Sequence, residues 1–354
     1  MRIRSAGGAP VTSTDGKADL RLVNLSELDP AWQWLKPAFE SRIPDWHHVS
    51  TQSMRCVLPV AKAHEARMRA ALEARRLLRT HPGPRVLVSH GPRPAEYWGL
   101  LASGTRLDFH DMSSFNFTDM PTGATRFAMA RAFRHVDRFV VSSSWERAFY
   151  ADWFSIPVER IVFQHWGVRP PAVAGRDDPP LVAGDYICAI GSQARDYATL
   201  VEAVRGGPTR LVIVASPHSM QGVVPVPNVE VRTNIPLDDA MNILKHSRAM
   251  VLPMNSATAR CGHVTAVSAM HLGVPIVSTD CRGLDDYLVD GRTARLVPQG
   301  DPAALAGAIA ALLADAGHRD ELARAGRAFA QAHCMESNVV DGFRSELQRR
   351  GLVV

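Results

Sequence analysis

The stretch that decides the reading is residues 264–309, VTAVSAMHLGVPIVSTDCRGLDDYLVDGRTARLVPQGDPAALAGAI. Its pattern predicts a helix over His263–Leu272, a strand at Pro275–Ser278, a short helix at Asp285–Val289, a strand at Ala294–Val297 and a helix over Pro302–Ala314. Ala269, Met270, Leu272 and the run VPIVST belong to a core. Just upstream, Gly262 permits close backbone approach at the start of the first helix, and Thr265 adds a hydroxyl on the same turn. His263 either touches a ligand or simply fills that turn.

The same alternation extends outward. Strands at Tyr186–Ile190, Arg210–Ala215, Val229–Arg232 and Ala249–Pro253 alternate with helices over Asp196–Val204 and Leu237–Lys245, and a helix over His318–Ala332 closes this half. The N-terminal half gives strands at Leu20–Val23, Arg85–Ser89, Arg106–His110, Arg138–Ser142 and Arg160–Gln164. Helices are expected over Thr122–His135 and after Ser142–Ser144, which offer hydroxyl N-caps. Alternation of this kind implies crossover units and parallel sheets covered by helices. Residues 168–184 hold four prolines and two glycines, a composition that suits a linker, and all seven tryptophans lie at or before Trp166. The expected architecture is therefore α/β with two doubly wound, Rossmann-like domains. The first spans residues 1–170, a linker 171–184 and the second 185–333; a C-terminal helix over 334–354 is free to cross back to the first domain. Two such domains hold their ligand at the carboxyl ends of the strands, in the cleft between them.

Composition narrows the function classes. Of 354 residues, 46% are hydrophobic and 21% charged, which excludes a disordered or collagen-like chain. No apolar run approaches the ~20 residues of a membrane span, and the N-terminus lacks the apolar core of a secretory signal, so a cytoplasmic protein is expected. Five widely spaced cysteines (Cys56, Cys188, Cys261, Cys281 and Cys334) fit neither a disulfide framework nor a zinc site. The net charge is +5, with +7 in residues 1–170 and -2 in the rest. Residues 61–95 hold eight basic side chains against two acidic ones, many of them on the predicted helix AKAHEARMRAALEARRLL (61–78). Its apolar positions are Met68, Ala71, Leu72, Leu77 and Leu78. Such a helix can lie on an anionic membrane surface; the plain alternative is a solvated face in an Arg-rich chain. No nucleic-acid-binding motif accompanies it.

Chemistry is expected in the turns after the strands. TRLDFHDMSSFNF (105–117) puts His110 and Asp111 at a strand's end, where His110 would serve as general acid or base and Asp111 would orient it or hold a sugar hydroxyl. The plain alternative is a histidine satisfied within a loop. His90 and Gly91 form a second loop at the same rim. AIGSQARDYATL (189–200) places Gly191 and Arg195 between a strand and a helix, an arrangement that suits an anion; alternatively Arg195 is a surface residue beside the helix cap Asp196. Arg195, Gly262 and Thr265 together make a diphosphate clamp.

These segments carry a resemblance. Residues 264–309, DYICAIGSQARDYATLVEAV (185–204), RIVFQHWGV (160–168) and DFHDM (108–112) resemble GT-B glycosyltransferases, in the pattern of the large retaining family numbered four, or group 1. The resemblance covers about residues 85–332 and is strongest beyond 185. It implies a nucleotide-sugar donor, with Arg195 in place of the family's phosphate-binding lysine and Gly262 to Thr265 as the loop holding the diphosphate. His110 matches the active-site histidine, and Asp285 and Asp286 lie in the turn that follows. The family's two glutamates would fall at Arg260 and Ser268, and the arginine after the strand glycine is Ser192 here. Sugar and ribose recognition then differ from the typical member.

The expected activity is transfer of a hexose from a nucleotide diphosphate sugar to a hydroxyl of a glycan, lipid-linked or small-molecule acceptor. No metal or cofactor is called for, because Arg195, Thr265 and the helix N-termini can hold the leaving diphosphate. Catalytic candidates are His110 and Asp111; donor-binding candidates are Gly191, Arg195, Gly262, His263, Thr265 and Asp286. Two other readings compete. The missing glutamate pair favours a non-catalytic partner that binds nucleotide or glycan, and a sugar-nucleotide epimerase would share the architecture but needs more carboxylates.

Overall fold

The computed structural model describes residues 19–27, 33–51, 60–101, 104–117, 119–224 and 226–352. Contacts divide the chain into two units, one of Met1–Val141, Arg147–Phe163 and Val340–Val354, the other of Ser142–Glu146 and Gln164–Val339. Cys56 lies outside the described residues.

The first unit is built on strands β1 (Arg21–Ser26), β2 (Trp46–Ser50), β3 (Arg85–His90), β4 (Phe109–Met112), β5 (Arg138–Val141) and β6 (Ile161–Phe163). They form one parallel sheet in the order β2-β1-β3-β4-β5-β6. Helices α1 (Lys36–Phe39), α2 (Val60–Arg79), α3 (Pro92–Leu101), α4 (Gly123–Ala132) and α5 (Ser144–Phe154) connect them. Val23, Leu25, Val49 and Leu87 pack on one face against Ala70, Ala74 and Leu78 of α2 and Trp98 of α3. Phe115, Phe133, Phe139, Tyr150 and Phe154 form an aromatic core around β5, α4 and α5.

The second unit comprises β7 (Ile187–Ile190), α6 (Tyr197–Val204), β8 (Leu211–Val214), β9 (Val229–Arg232), α7 (Leu237–Lys245), β10 (Met250–Leu252), α8 (His263–Leu272), β11 (Ile276–Thr279), β12 (Arg295–Val297), α9 (Pro302–Ala314) and α10 (Ala316–His333). Its parallel sheet runs β12-β11-β10-β7-β8-β9. Counted within the unit from the other edge, that is third, second, first, fourth, fifth, sixth, the order of a dinucleotide-binding sheet. The direction of winding reverses between β7 and β10, and the crevice at their carboxyl ends is where such sheets hold ligands. One core layer packs Leu244, Met250, Ala266, Met270 and Tyr287; the opposite layer packs Leu200, Leu211, Ile213, Val251 and Leu305. The last helix, α11 (Glu336–Arg349), carries Phe343 against Trp34 and Phe39, with ring centroids 5.0 and 5.6 Å apart.

Several expectations are corrected. The helix expected over Asp285–Val289 is absent: a 3-10 turn at Arg282–Leu284 leads into further turns, because Tyr287 is drawn into the core. The stretch read as a linker holds a 3-10 turn at Ala172–Gly175, and Val173 and Val182 are buried in the second unit's core. On α2 the buried residues are Ala70, Ala71, Ala74 and Leu78, whereas Met68 and Leu72 are exposed beside Arg69, Arg76 and Arg79. The four described cysteines are free, and only Cys261 is not buried. Among the described residues no helix is long and apolar enough to cross a membrane.

Candidate functional site

The second unit gathers its candidate residues at the switch point. Gly191 follows β7 with a φ of 120°, and Arg195 folds back over it. A Cβ on Gly191 would lie 2.7 Å from Arg195 Nη2, so a side chain there would push the guanidinium aside. Arg195 Nη1 donates to the Gln193 carbonyl at 2.7 Å and lies 3.3 Å from Met254 Sδ. Its Nε is buried and has no partner among the described residues.

Backbone pairing ties this loop to the one after β10. Asp196 N donates to the Pro253 carbonyl at 2.8 Å, and Asn255 N to the Ala194 carbonyl at 3.0 Å. Asp196 caps α6 through Thr199 N at 3.0 Å. Met254 Sδ then sits 3.6 Å from where a Gly262 Cβ would stand, and Cys261 Sγ contacts the same Gln193 carbonyl that Arg195 uses. Gly262, with a φ of 103°, is the N-cap of α8. The first N–H groups of that helix have no intrahelical acceptor, and its dipole favours an anion. Gly191, Arg195, Gly262 and half-buried Thr265 are thus brought together as one cationic, donor-rich corner. Sequence reasoning missed Gln193, which acts through a backbone carbonyl that carries no pattern.

His263 and Asp286 are placed differently. His263 is buried and its Nε2 donates to the Gly283 carbonyl at 2.7 Å, while burial pushes its pKa down to about 4. It fixes the first turn of α8 as a neutral side chain. Asp286 Oδ2 accepts from Ser144 N at 2.7 Å, within the second unit. Tyr287 OH donates to the Ser142 carbonyl at 2.8 Å and accepts from Trp166 N at 2.7 Å. Asp285 is exposed, and partial loss of solvent around its carboxyl, with the Asp280 and Asp286 charges nearby, raises its pKa.

His110 and Asp111 are not at a strand's end. β4 begins at Phe109, three residues later than expected, so both lie inside the strand and are fully buried. Ser89 Oγ lies 2.8 Å from His110 Nε2, and His110 Nδ1 donates to the His135 carbonyl at 3.1 Å. Burial pushes this histidine down to about 3, leaving it neutral. Asp111 Oδ1 accepts from Arg138 Nε at 2.6 Å; burial raises its pKa against the pull of Arg138. The residue beyond β4 at the rim is Ser113, whose Oγ is 2.9 Å from His90 Nδ1.

Residues 193–315, which hold this corner, match the family described as Glycosyl transferases group 1. The protein has the GT-B fold of the glycosyltransferases. Similar GT-B structures include Anabaena Alr3699/HepE in complex with UDP, with a TM-score of 0.68, 11% identity, and coverage of 93% of this chain and 100% of that one. Sucrose-phosphate synthase from Thermosynechococcus elongatus gives 0.71, 16%, 93% and 98%. The α,α-trehalose 6-phosphate synthase from Burkholderia multivorans gives 0.67, 11%, 93% and 96%. No curated protein matches this GT-B chain by sequence.

Proposed function

We propose that the protein is a glycosyltransferase that moves a hexose from a nucleoside diphosphate sugar to a hydroxyl of a glycan, lipid-linked or small-molecule acceptor, with retention and without a metal. The observation that carries this reading is the corner at the β7–β10 switch point, within the segment that matches group 1 glycosyltransferases. Arg195 supplies a permanent cation, and the α8 N-terminus behind Gly262 supplies backbone donors. Both become more favourable as the leaving diphosphate gains charge in the transition state. The neighbour HepE is solved with UDP and with UDP-glucose, which favours a uridine nucleotide here. Retention rests on the resemblance to the retaining family.

Thermal-shift measurement against UDP, ADP, GDP and their hexose conjugates tests the donor site. Ligand at ~100 times its Kd adds about 2.7 kcal/mol of stability. One nucleotide series should stabilise the native protein, with the gain weakened at least tenfold in affinity by Arg195→Ala and less by Thr265→Ala. Stabilisation by none of them overturns the reading.

A second reading, a non-catalytic nucleotide-binding protein, is favoured by the engagement of His110 and Asp111 inside the sheet. Release of nucleotide from a bound sugar donor in the presence of a glycan mixture separates the two. Peripheral contact through the exposed face of α2, where Met68 and Leu72 sit beside Arg69, Arg76 and Arg79, belongs to the same proposal. It predicts sedimentation with anionic vesicles that falls with salt and is lost in a Met68→Ser, Leu72→Ser variant.

A further inference from the structure

An open parallel sheet holds its ligands at the carboxyl ends of the strands. The first unit also has a cavity at the opposite, amino end of its sheet. Its volume is about 220 Å³, and it is lined by Trp98 of α3, by Thr105 and Leu107 of the loop before β4, and by Arg134, His135 and Asp137 before β5. The last three lie in or just after a 3-10 turn at Phe133–His135, which follows α4. All six belong to the first unit. An apolar cavity of ~150 Å³ takes one benzene ring, so this volume suits a ligand slightly larger than that.

The walls carry two opposite charges that do not pair. Asp137 Oδ2 accepts from the His110 amide at 2.8 Å, and Oδ1 has no hydrogen bond among the described residues. The Arg134 carbonyl accepts from Arg160 Nη2 at 3.3 Å, but the Arg134 guanidinium donates to nothing among the described residues. Neither side chain makes an ion pair there, with the other or with a third group. Arg160 is near enough to feel the Asp137 charge, yet its Nη2 is committed to the carbonyls of Phe133 and Arg134. At the wall Thr105 Oγ1 is buried and has no partner among the described residues, which costs free energy unless something polar meets it.

We infer that this cavity is a binding site for a small zwitterion, of the class of a free α-amino acid, with its carboxylate on Arg134 and its ammonium on Asp137 Oδ1. A guanidinium holds a carboxylate through two parallel hydrogen bonds, and a carboxylate accepts strongly from an ammonium. A simple anion would face Asp137, and a simple cation would face Arg134. A neutral ligand would take water from both charges without replacing it. Trp98 and Leu107 supply apolar wall for a short side chain. The site also has a path into the sheet. Besides the His110 amide, which Asp137 holds, His110 Nδ1 donates to the His135 carbonyl at 3.1 Å, and Asp137 N donates to the His110 carbonyl at 2.9 Å. His110 Nε2 lies 2.8 Å from Ser89 Oγ of β3. A ligand in the cavity therefore reaches β3 and β4 through these bonds, from the end opposite the carboxyl ends. The inference does not rest on the glycosyl-transfer reading.

The test is isothermal titration calorimetry of the full chain with alanine, serine, aspartate, glutamate and lysine. Propionate and ethylamine, which each carry one of the two charges, and inorganic phosphate serve as controls. At least one amino acid should bind, and at least about tenfold more tightly than any control. Arg134→Gln and Asp137→Asn should each weaken that binding by a similar factor. Asp137 also holds the His110 amide, so Arg134→Gln, on an exposed side chain, decides the matter if Asp137→Asn fails to fold. No binding by any amino acid, binding of propionate, ethylamine or phosphate as tight as theirs, or amino-acid binding unchanged in Arg134→Gln would each overturn the inference.

Discussion

The two sheets have the same number of strands, all parallel, yet they are written differently. In the second unit β7 reads ICAI, β8 LVIV and β10 MVL, apolar without a break, and the ligand-ready groups sit in the loops that follow. In the first unit β1 reads RLVNLS, β2 WHHVS and β4 FHDM, so polar groups enter the sheet itself. A site built from loops depends on backbone shape: Gly191, Gly262 and Gly283 matter more than any one side chain except Arg195. Polar groups built into strands depend on partners that offset their burial. The two units should therefore fail in different ways.

Acid should have the largest effect. His90 and His110 in the first unit and His263 in the second are held neutral, at about 4, 3 and 4. Their folded pKa values lie below the unfolded value, so the unfolded chain binds more protons and stability falls as pH drops from about 6.5 towards about 4. Each contributes a loss approaching about 1.4 kcal/mol per pH unit in that window. Asp111, with its pKa raised, works in the opposite direction and returns part of the loss. Trp98 packs edge-on to His110 at 6.4 Å, so tryptophan emission should report the loss of the first unit's packing in acid. A melting temperature unchanged between about pH 7 and pH 5 would contradict the burial assigned to these rings.

Backbone shape should give the next largest effect, in the second unit. A Cβ on Gly283 would meet the Ala259 carbonyl oxygen at 2.0 Å, and that carbonyl belongs to the loop leading to Gly262. Gly283→Ala should cost about 3 kcal/mol in urea unfolding and also weaken nucleotide binding, because the loop must shift. Destabilisation without any change in nucleotide affinity would separate the loop from the site.

The same contrast explains what could be read from sequence. The second sheet was legible because unbroken apolar runs bounded by turn residues have few alternatives, and Gly191, Arg195 and Gly262 stood out after such runs. β2 was not legible, because WHHVS lacks the apolar content that marks a strand, and its partner strand β1 supplies the context that fixes it. α3 was hidden by Pro92 and Pro94, which a helix tolerates only in its first turn, where they fall. His110 and Asp111 were misplaced because Arg106–Asp108 lie before the strand, and a shift of three residues turns a rim position into an interior one. No local pattern distinguishes a polar residue that is buried in a sheet from one that ends it.

Asn24→Val gives the smallest expected effect and bears most directly on the comparison. The substitution removes one hydrogen bond to His48, worth about 1 kcal/mol, and also removes a buried acceptor without a partner, whose burial costs a similar amount. Valine is β-branched and suits a strand covered on both faces. The sum should lie within about 1 kcal/mol of zero, and on the stabilising side if His48 turns to a new partner. If urea unfolding shows this, the first sheet carries the Asn24–His48 pair without needing it in order to fold. A loss above about 2 kcal/mol would mean instead that the sheet needs the Asn24–His48 pair in order to fold. That pair would then be structural, and the two sheets would differ in composition without differing in purpose.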